Sequence, residues 1–354
     1  MTTTTTPREL IAESAGAGDW LAMHIYYAAS PRPLLAQCIG PLLDDLHGDG
    51  LLAGHFFINY WLEGPHVRLR LRPATPRATE QVRARAEAAV SAFLQRRPAL
   101  YSVETGFLSD LYNQLFEMEL EDVDRDRYVG PDGKMNVRPN NSFAYQPYEP
   151  EFGKYGGPAG VALSEWHFRH SSDLTLEAVR TLNLHIRTVV LGTATQLMMV
   201  MAACFLPDGE ELAAYLERYH RFWRRTFAGT DLVDYGSSYA DTPGLAARFD
   251  AIRAGIATGD LDGLPAFLAR WARHSLELRE RATALAQAGQ LVFRSVDRTR
   301  DEVVTDAAEA RFRLLSPYLH MTNNRLHITI RDEAYLSAML ARALRESLSR
   351  RGVR

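Results

Sequence analysis

Residues 55–73 read HFFINYWLEGPHVRLRLRP, and the folding of this stretch decides the architecture. Two runs rich in β-favouring residues flank Glu63-Gly64-Pro65, a combination that turns the chain, so an antiparallel hairpin is expected. Along its second arm Val67, Leu69 and Leu71 alternate with His66, Arg68, Arg70 and Arg72. Because side chains in a strand repeat every two residues, the apolar set lies on one face and the basic set on the other.

The flanking sequence supplies partners for such a hairpin. Upstream, MHIYYAA (23–29) carries the β-favouring Ile25, Tyr26 and Tyr27, and PRPLLAQCIGPLLDDLHGDGL (31–51) has apolar residues at helical spacing before a glycine-rich stop. Downstream, Thr79 is positioned to cap a helix through EQVRARAEAAVSAFLQRR (80–97). Sheet and helix alternating within one region indicate an α+β layer. Residues 122–150 are polar and rich in turn formers, as expected of a long functional or disordered loop. Beyond them the chain reads as mainly helical, over 174–205, GEELAAYLERYHRFWRRTF (209–227), LPAFLARWARHSLELRERATALAQAG (264–289) and RDEAYLSAMLARALRESL (331–348), with RLHITI (325–330) as a short strand. No internal repeat is present. The expected architecture is therefore a single α+β domain over 19–354, an antiparallel sheet packed with a large helical portion, behind a disordered leader, 1–18. Trp166, Trp223 and Trp271 either fill the helical core or present a subunit interface, which would suit a homodimer.

Forty lysines and arginines stand against forty-three aspartates and glutamates, a formal charge of −3. Nothing global draws the chain to nucleic acid or anionic lipid, so any cationic site is local. The most apolar segment, 188–206, is interrupted by Thr193, Thr195 and Gln196 and is expected as a buried helix, not a membrane span. Cys38 and Cys204 match no metal or redox spacing, which suits a reducing cytoplasm, and the N-terminus lacks the basic-then-apolar order of a secretion signal. Asp122, Asp124 and Asp126 open like a calcium loop, but Arg127 takes the glycine position and Gly133 the closing glutamate's. His167 and His170, with Glu165 and Asp173, have no zincin spacing, so no metal is expected. There is no phosphate loop, dinucleotide fingerprint or serine elbow, and no cofactor is expected.

The basic strand face is the sharpest chemical signal. Three guanidiniums about 7 Å apart along a strand repel one another unless solvent or anions neutralise them. Such a face is either an exposed surface paired with acids of a neighbouring helix, or a fork of donors for carboxylates or phosphates. In YEPEFGKYGG (148–157) paired glycines permit positive φ or close backbone approach, with Glu149, Glu151 and Lys154 beside them, although the same pattern serves as a plain turn. SPYLHMTNNRLHITI (316–330) crowds His320, Asn323, Asn324 and Arg325 ahead of the expected strand, where side chains can project into a cleft.

Taken in order, FFINYWLEGPHVRLRLR, YEPEFGKYGG with SEWHFRHSS, and HMTNNR resemble the C-terminal elimination domain of lantibiotic dehydratases, which also occurs as a free-standing chain in thiopeptide and split lanthipeptide pathways. The likeness runs from about Asp19 to the C-terminus. It implies a lyase. In that family a partner domain esterifies Ser or Thr of a ribosomally made precursor peptide with glutamate from glutamyl-tRNA, and the elimination domain expels glutamate to leave dehydroalanine or dehydrobutyrine. The implied partners are the leader-bearing precursor peptide and a separate glutamylating subunit, with no direct contact to nucleic acid or membrane. By position, Arg68 and Arg70 match the family's Arg-x-Arg pair, Glu151 its acid before the Gly-Gly turn, and His320 the histidine of its HMxxNR motif. The resemblance thus implies that Arg68 and Arg70 meet the glutamyl carboxylates and enolate oxygen, that Glu151 grips the substrate ammonium or orients an arginine, and that His320 transfers a proton. His66, Lys154, Asn324 and Arg325 are the further substrate-binding candidates. Lys154 departs from the family's arginine and cannot reproduce a planar bidentate contact, and Asn59 stands where arginine is common. Two other readings stand beside elimination: a thiopeptide pyridine synthase, which joins two dehydroalanines in a formal cycloaddition and ejects the leader, and a non-catalytic peptide-binding subunit.

Overall fold

Four strands, β1 (Leu21–Tyr26), β2 (Leu52–Tyr60), β3 (His66–Pro73) and β4 (Ser142–Tyr145), pair antiparallel in the order β2-β3-β1-β4. They belong to a computed structural model that describes residues 20–101, 128–131, 133–226, 244–295 and 297–352; the expected leader and the calcium-like aspartates lie outside the described residues. Within these residues the α+β chain divides into two compact units, one of residues 20–150 and 171–181, the other of 151–170 and 182–352.

In the sheet unit the hairpin forms as its alternation dictates, with Tyr60 opposite His66, Ile58 opposite Arg68 and Phe56 opposite Arg70. Gly64 makes the connection at φ 106°, where a Cβ would also meet the Val137 side chain at 3.1 Å, so the turn needs glycine. The apolar face, with Val67, Leu69, Leu71, Met23, Ile25 and Phe57, packs on a helical layer through Leu34, Ile39, Leu43, Val82, Val90 and Phe93. Each such side chain, fully buried, contributes about 1.5–3 kcal/mol. The layer consists of α1 (Pro31–Leu34), a π-wound continuation over Leu35–Ile39, α2 (Gly40–Gly48) and α3 (Thr79–Arg96). The cap expected at Thr79 is displaced: Thr75 accepts from the Ala78 amide and caps a 3-10 turn, Pro76–Ala78, so that Thr79 is already inside the helix. Strand β4 falls within the segment expected as loop.

The second unit is helical. It contains α4 (Phe152–Tyr155), the first part of α5 (Gly157–Thr181), α6 (Arg187–Phe205), α7 (Gly209–Thr226), α8 (Leu245–Thr258), α9 (Ala266–Gln287), a small hairpin of β5 (Val292–Arg294) and β6 (Asp301–Val303), then α10 (Ala307–Arg325) and α11 (Ile330–Gly352). Consecutive positive φ values at Gly156 and Gly157, 89° and 77°, turn the chain from α4 into α5, the backbone freedom expected of that glycine pair. Helix α6 is long and apolar enough to cross a bilayer, yet it is apolar all round because it is a core helix, and Trp271 donates to its Leu197 carbonyl. Trp223 and Trp271 are buried, which takes them out of any exposed subunit face.

RLHITI is not a strand. Helix α10 runs through Arg325, His327 turns the chain at φ 60°, and Thr329 accepts from the Asp332 amide to start α11. The threonine cap overrides the β propensity of a run too short to find a strand partner.

Candidate functional site

Strand pairing assembles a second, polar face on the sheet. Tyr26 and His24 of β1 lie opposite His66 and Arg68, and Tyr60 of β2 lies opposite His66 from the other side. Asn59, opposite Val67, belongs to the apolar face and does not join the basic set.

His66 is buried, and both its ring nitrogens are engaged. Nδ1 lies 2.8 Å from the Gly64 carbonyl, which can only accept, and Nε2 lies 3.2 Å from Arg68 Nε, which can only donate. The ring is therefore the neutral Nδ1–H tautomer, and it orients Arg68. Burial foremost, then the Arg68 charge, holds it down at about 3. Arg68 completes its seat over the Tyr60 ring, 3.5 Å from its centroid. His24 stacks on His66 with centroids 4.9 Å apart, and burial, then Arg70, then Arg68, keep it neutral down to about 2.

Arg70 differs from its neighbours. It is 5% exposed, lies 5.5 Å over the Tyr148 ring, and among the described residues its Nη1 has no hydrogen-bond partner and no carboxylate pairs with the side chain. Burial, reinforced by the Arg68 charge, pushes its guanidinium down to about 9, still cationic at neutral pH. Trp20, Phe56 and Tyr148 wall this position with centroids 5.1–6.0 Å apart. A buried cation with an unused donor, beside a second cation and enclosed by aromatics, is arranged to accept an anion.

The helical unit holds the other candidates. His320 is half-buried on α10, and its Nδ1 lies 2.9 Å from Oε2 of Glu333 on α11. The carboxylate is 1% exposed, its Oε1 accepts from the Tyr219 hydroxyl on α7, and the Trp223 ring packs 5.2 Å from the imidazole. Asn324 and Arg325 follow on the same helix, not on a loop entering a strand. Arg325 is fully buried, donates to the Met321 carbonyl at 2.7 Å and stacks over Phe168. Glu151 and Lys154 form an exposed pair at 3.2 Å across the first turn of α4. Sequence reasoning missed Glu333 and Tyr219, and also His24 and Tyr148. The pairing of β1 with β3 brings His24 to the basic face, whereas for Glu333 the signal was an acid one turn after the Thr329 cap, a common surface pattern that here is buried.

A four-stranded antiparallel sheet with a helical layer on its apolar face and one buried guanidinium, Arg70, on the other, together with the helical unit, makes this an α+β protein. The chain belongs to the lantibiotic biosynthesis dehydratase C-terminal family, whose model matches residues 20–344. Among solved structures it is similar to the pyridine synthase TbtD from thiomuracin biosynthesis, with 20% identity, 94% of this chain and 99% of that chain covered, and a TM-score of 0.69. It is also similar to TsrL, with 17% identity, 93% and 95% covered, and a TM-score of 0.61. Against the tRNA-dependent lantibiotic dehydratase MibB from Microbispora sp. 107891 the identity is 17% and the TM-score 0.55, with 99% of this chain and 29% of that chain covered. No curated protein matches it.

Proposed function

We propose that the chain eliminates glutamate from glutamylated Ser or Thr of a ribosomally made precursor peptide, leaving dehydroalanine or dehydrobutyrine. The observation that carries this reading is Arg70, buried beside Arg68 with an Nη1 that has no partner among the described residues. In the reaction a base takes the Cα proton, the Cβ–O bond breaks, and glutamate leaves with the electron pair. Negative charge develops on the peptide carbonyl and on the departing carboxylate. Arg68 and Arg70 are assigned to those charges, where losing one donor typically costs about 3–4 kcal/mol of transition-state stabilisation. His66 is assigned to holding Arg68, His320 to proton transfer, and Glu151 with Lys154 to the charged ends of the glutamyl group. A separate glutamylating subunit would supply the esterified peptide, in keeping with the chain's match to 29% of MibB.

One observation favours a second reading, a pyridine synthase: the fold likeness to TbtD spans 99% of that chain. A single experiment separates the two. The purified chain is given a glutamylated precursor peptide without tRNA, and in parallel a peptide already containing dehydroalanines, and both are followed by mass spectrometry. Elimination removes the mass of glutamate from the first. Turnover of the second alone would overturn the proposal in favour of cycloaddition, and binding without turnover would make the chain a carrier of substrate.

A further inference from the structure

We propose that Glu333, itself held by Tyr219, is a positioning residue that fixes the Nδ1–H tautomer of His320 and so presents Nε2 as the ring's basic nitrogen. The inference rests on the assignment of His320 to proton transfer and extends it to residues that no motif of the sequence marks.

The geometry allows few alternatives. An ionised carboxylate only accepts, so in the 2.9 Å contact the hydrogen belongs to His320 Nδ1. Tyr219 cannot reverse its bond to Glu333, because burial, and after it the Glu333 charge, keep its phenol protonated well above the ordinary range. The two oxygens of Glu333 are thus divided, one to the phenol and one to the imidazole. Glu333 is 1% exposed and sits in the first turn of α11, where the helix dipole favours negative charge. Three helices therefore converge on one imidazole: α10 carries it, α11 brings the carboxylate, and α7 brings Tyr219 together with Trp223, whose ring covers it. In the neutral ring the lone pair is then on Nε2. A buried acid behind a histidine, oriented by a further donor, is the arrangement by which an imidazole is prepared to take up and return a proton.

The test reads the tautomer and the rate separately. In the full chain labelled with 15N-histidine, the wild-type His320 should show a pyrrole-like Nδ1 and a pyridine-like Nε2. Glu333→Gln, which keeps the shape, should lose that fixed pattern and lower kcat for elimination by about 10²–10⁴-fold with KM little changed, the range for a misdirected general acid–base group. Tyr219→Phe should give a weaker form of both effects, and Glu333→Asp should recover part of the kcat lost in Glu333→Gln. A wild-type ring protonated on Nε2, or a Glu333→Gln protein with unaltered shifts and kcat, would overturn the inference. Should Glu333→Gln fail to fold, the wild-type spectrum and Tyr219→Phe still decide it. A wild-type chain that shows the expected tautomer but leaves every glutamylated peptide intact would instead overturn the proposed function.

Discussion

Replacing Arg70 by methionine should make the protein more stable and, under the proposed function, remove affinity for the leaving carboxylate. The fall of the guanidinium from 12.5 to about 9 corresponds to about 5 kcal/mol acting against its charged form, at ~1.36 kcal/mol per pH unit. Methionine keeps most of the apolar stem, fits a wall of Trp20, Phe56 and Tyr148, and leaves no unused donor. Against this gain stands the loss of the cation over Tyr148, about 0.5–1 kcal/mol. Replacing buried ionic groups by apolar residues is commonly neutral or stabilising by about 1–4 kcal/mol, so a net gain of about 1–3 kcal/mol is expected for Arg70→Met. Urea unfolding measures it as a higher midpoint at unchanged slope. Repeating the titration with free glutamate at a hundred times its dissociation constant should stabilise the wild type by about 2.7 kcal/mol and the variant not at all. If Arg70→Met instead lost more than about 1 kcal/mol without ligand, beyond the usual spread for surface changes, the guanidinium would be a satisfied structural group and the anion-site reasoning would fail.

Two further outcomes follow from the same structure. His24 and His66 stand at about 2 and about 3 in the fold against 6.5 for a free ring, so the unfolded chain takes up protons first. The stability that comes from keeping them neutral is complete above pH 6.5 and is lost as pH falls towards 3, by about 2 kcal/mol for each ring at pH 5. Urea midpoints taken between pH 7 and 5 should show this loss, and His24→Phe, which replaces a ring whose nitrogens have no partner among the described residues, should remove about half of it; an unchanged slope in the variant would refute the assignment. Thr329→Ala deletes the cap that starts α11 and should cost about 1 kcal/mol by the same assay, with Thr329→Ser restoring most of it.

The hairpin was legible because a period-two alternation leaves one register that buries Val67, Leu69 and Leu71, and once β3 is placed the basic face follows without further information. Its lining was not, because which residues face Arg70 depends on the pairing of β1 with β3 and on Tyr148, which lies far along the chain from that strand. Strand β4 escaped notice because four residues in a turn-rich segment carry too little pattern. The start of helix α10 is marked by Asp306, accepting from the Glu309 amide, but the β-branched run just beyond its other end carries a competing strand signal. Thr329-x-x-Asp332 was a second helix signal inside that run, and local hydrogen bonding there outweighed propensity. The burial of Glu333 is a tertiary outcome: the sequence marks the start of α11 but not that α7 and α10 close over its first turn.

Arg70 also bears on the choice between the two chemistries. A neutral peptide carbonyl approaching its Nη1 would return about 1.5–3 kcal/mol, the worth of a hydrogen bond to a charged group, less than the cost of burying the cation beside Arg68. A carboxylate or an enolate oxygen returns more, because it adds direct attraction to both guanidiniums in an enclosed, aromatic-walled position. Joining two dehydroalanines develops no full carboxylate charge, so a chain doing only that would keep Arg70 at a loss that methionine would relieve. Eliminating glutamate develops such charge as the Cβ–O bond breaks, and interactions that strengthen as charge develops are the ones that accelerate a reaction. The same asymmetry predicts how Arg70→Met should behave in the peptide assay: an eliminating enzyme loses kcat while gaining stability, whereas a cyclase gains stability and keeps its rate.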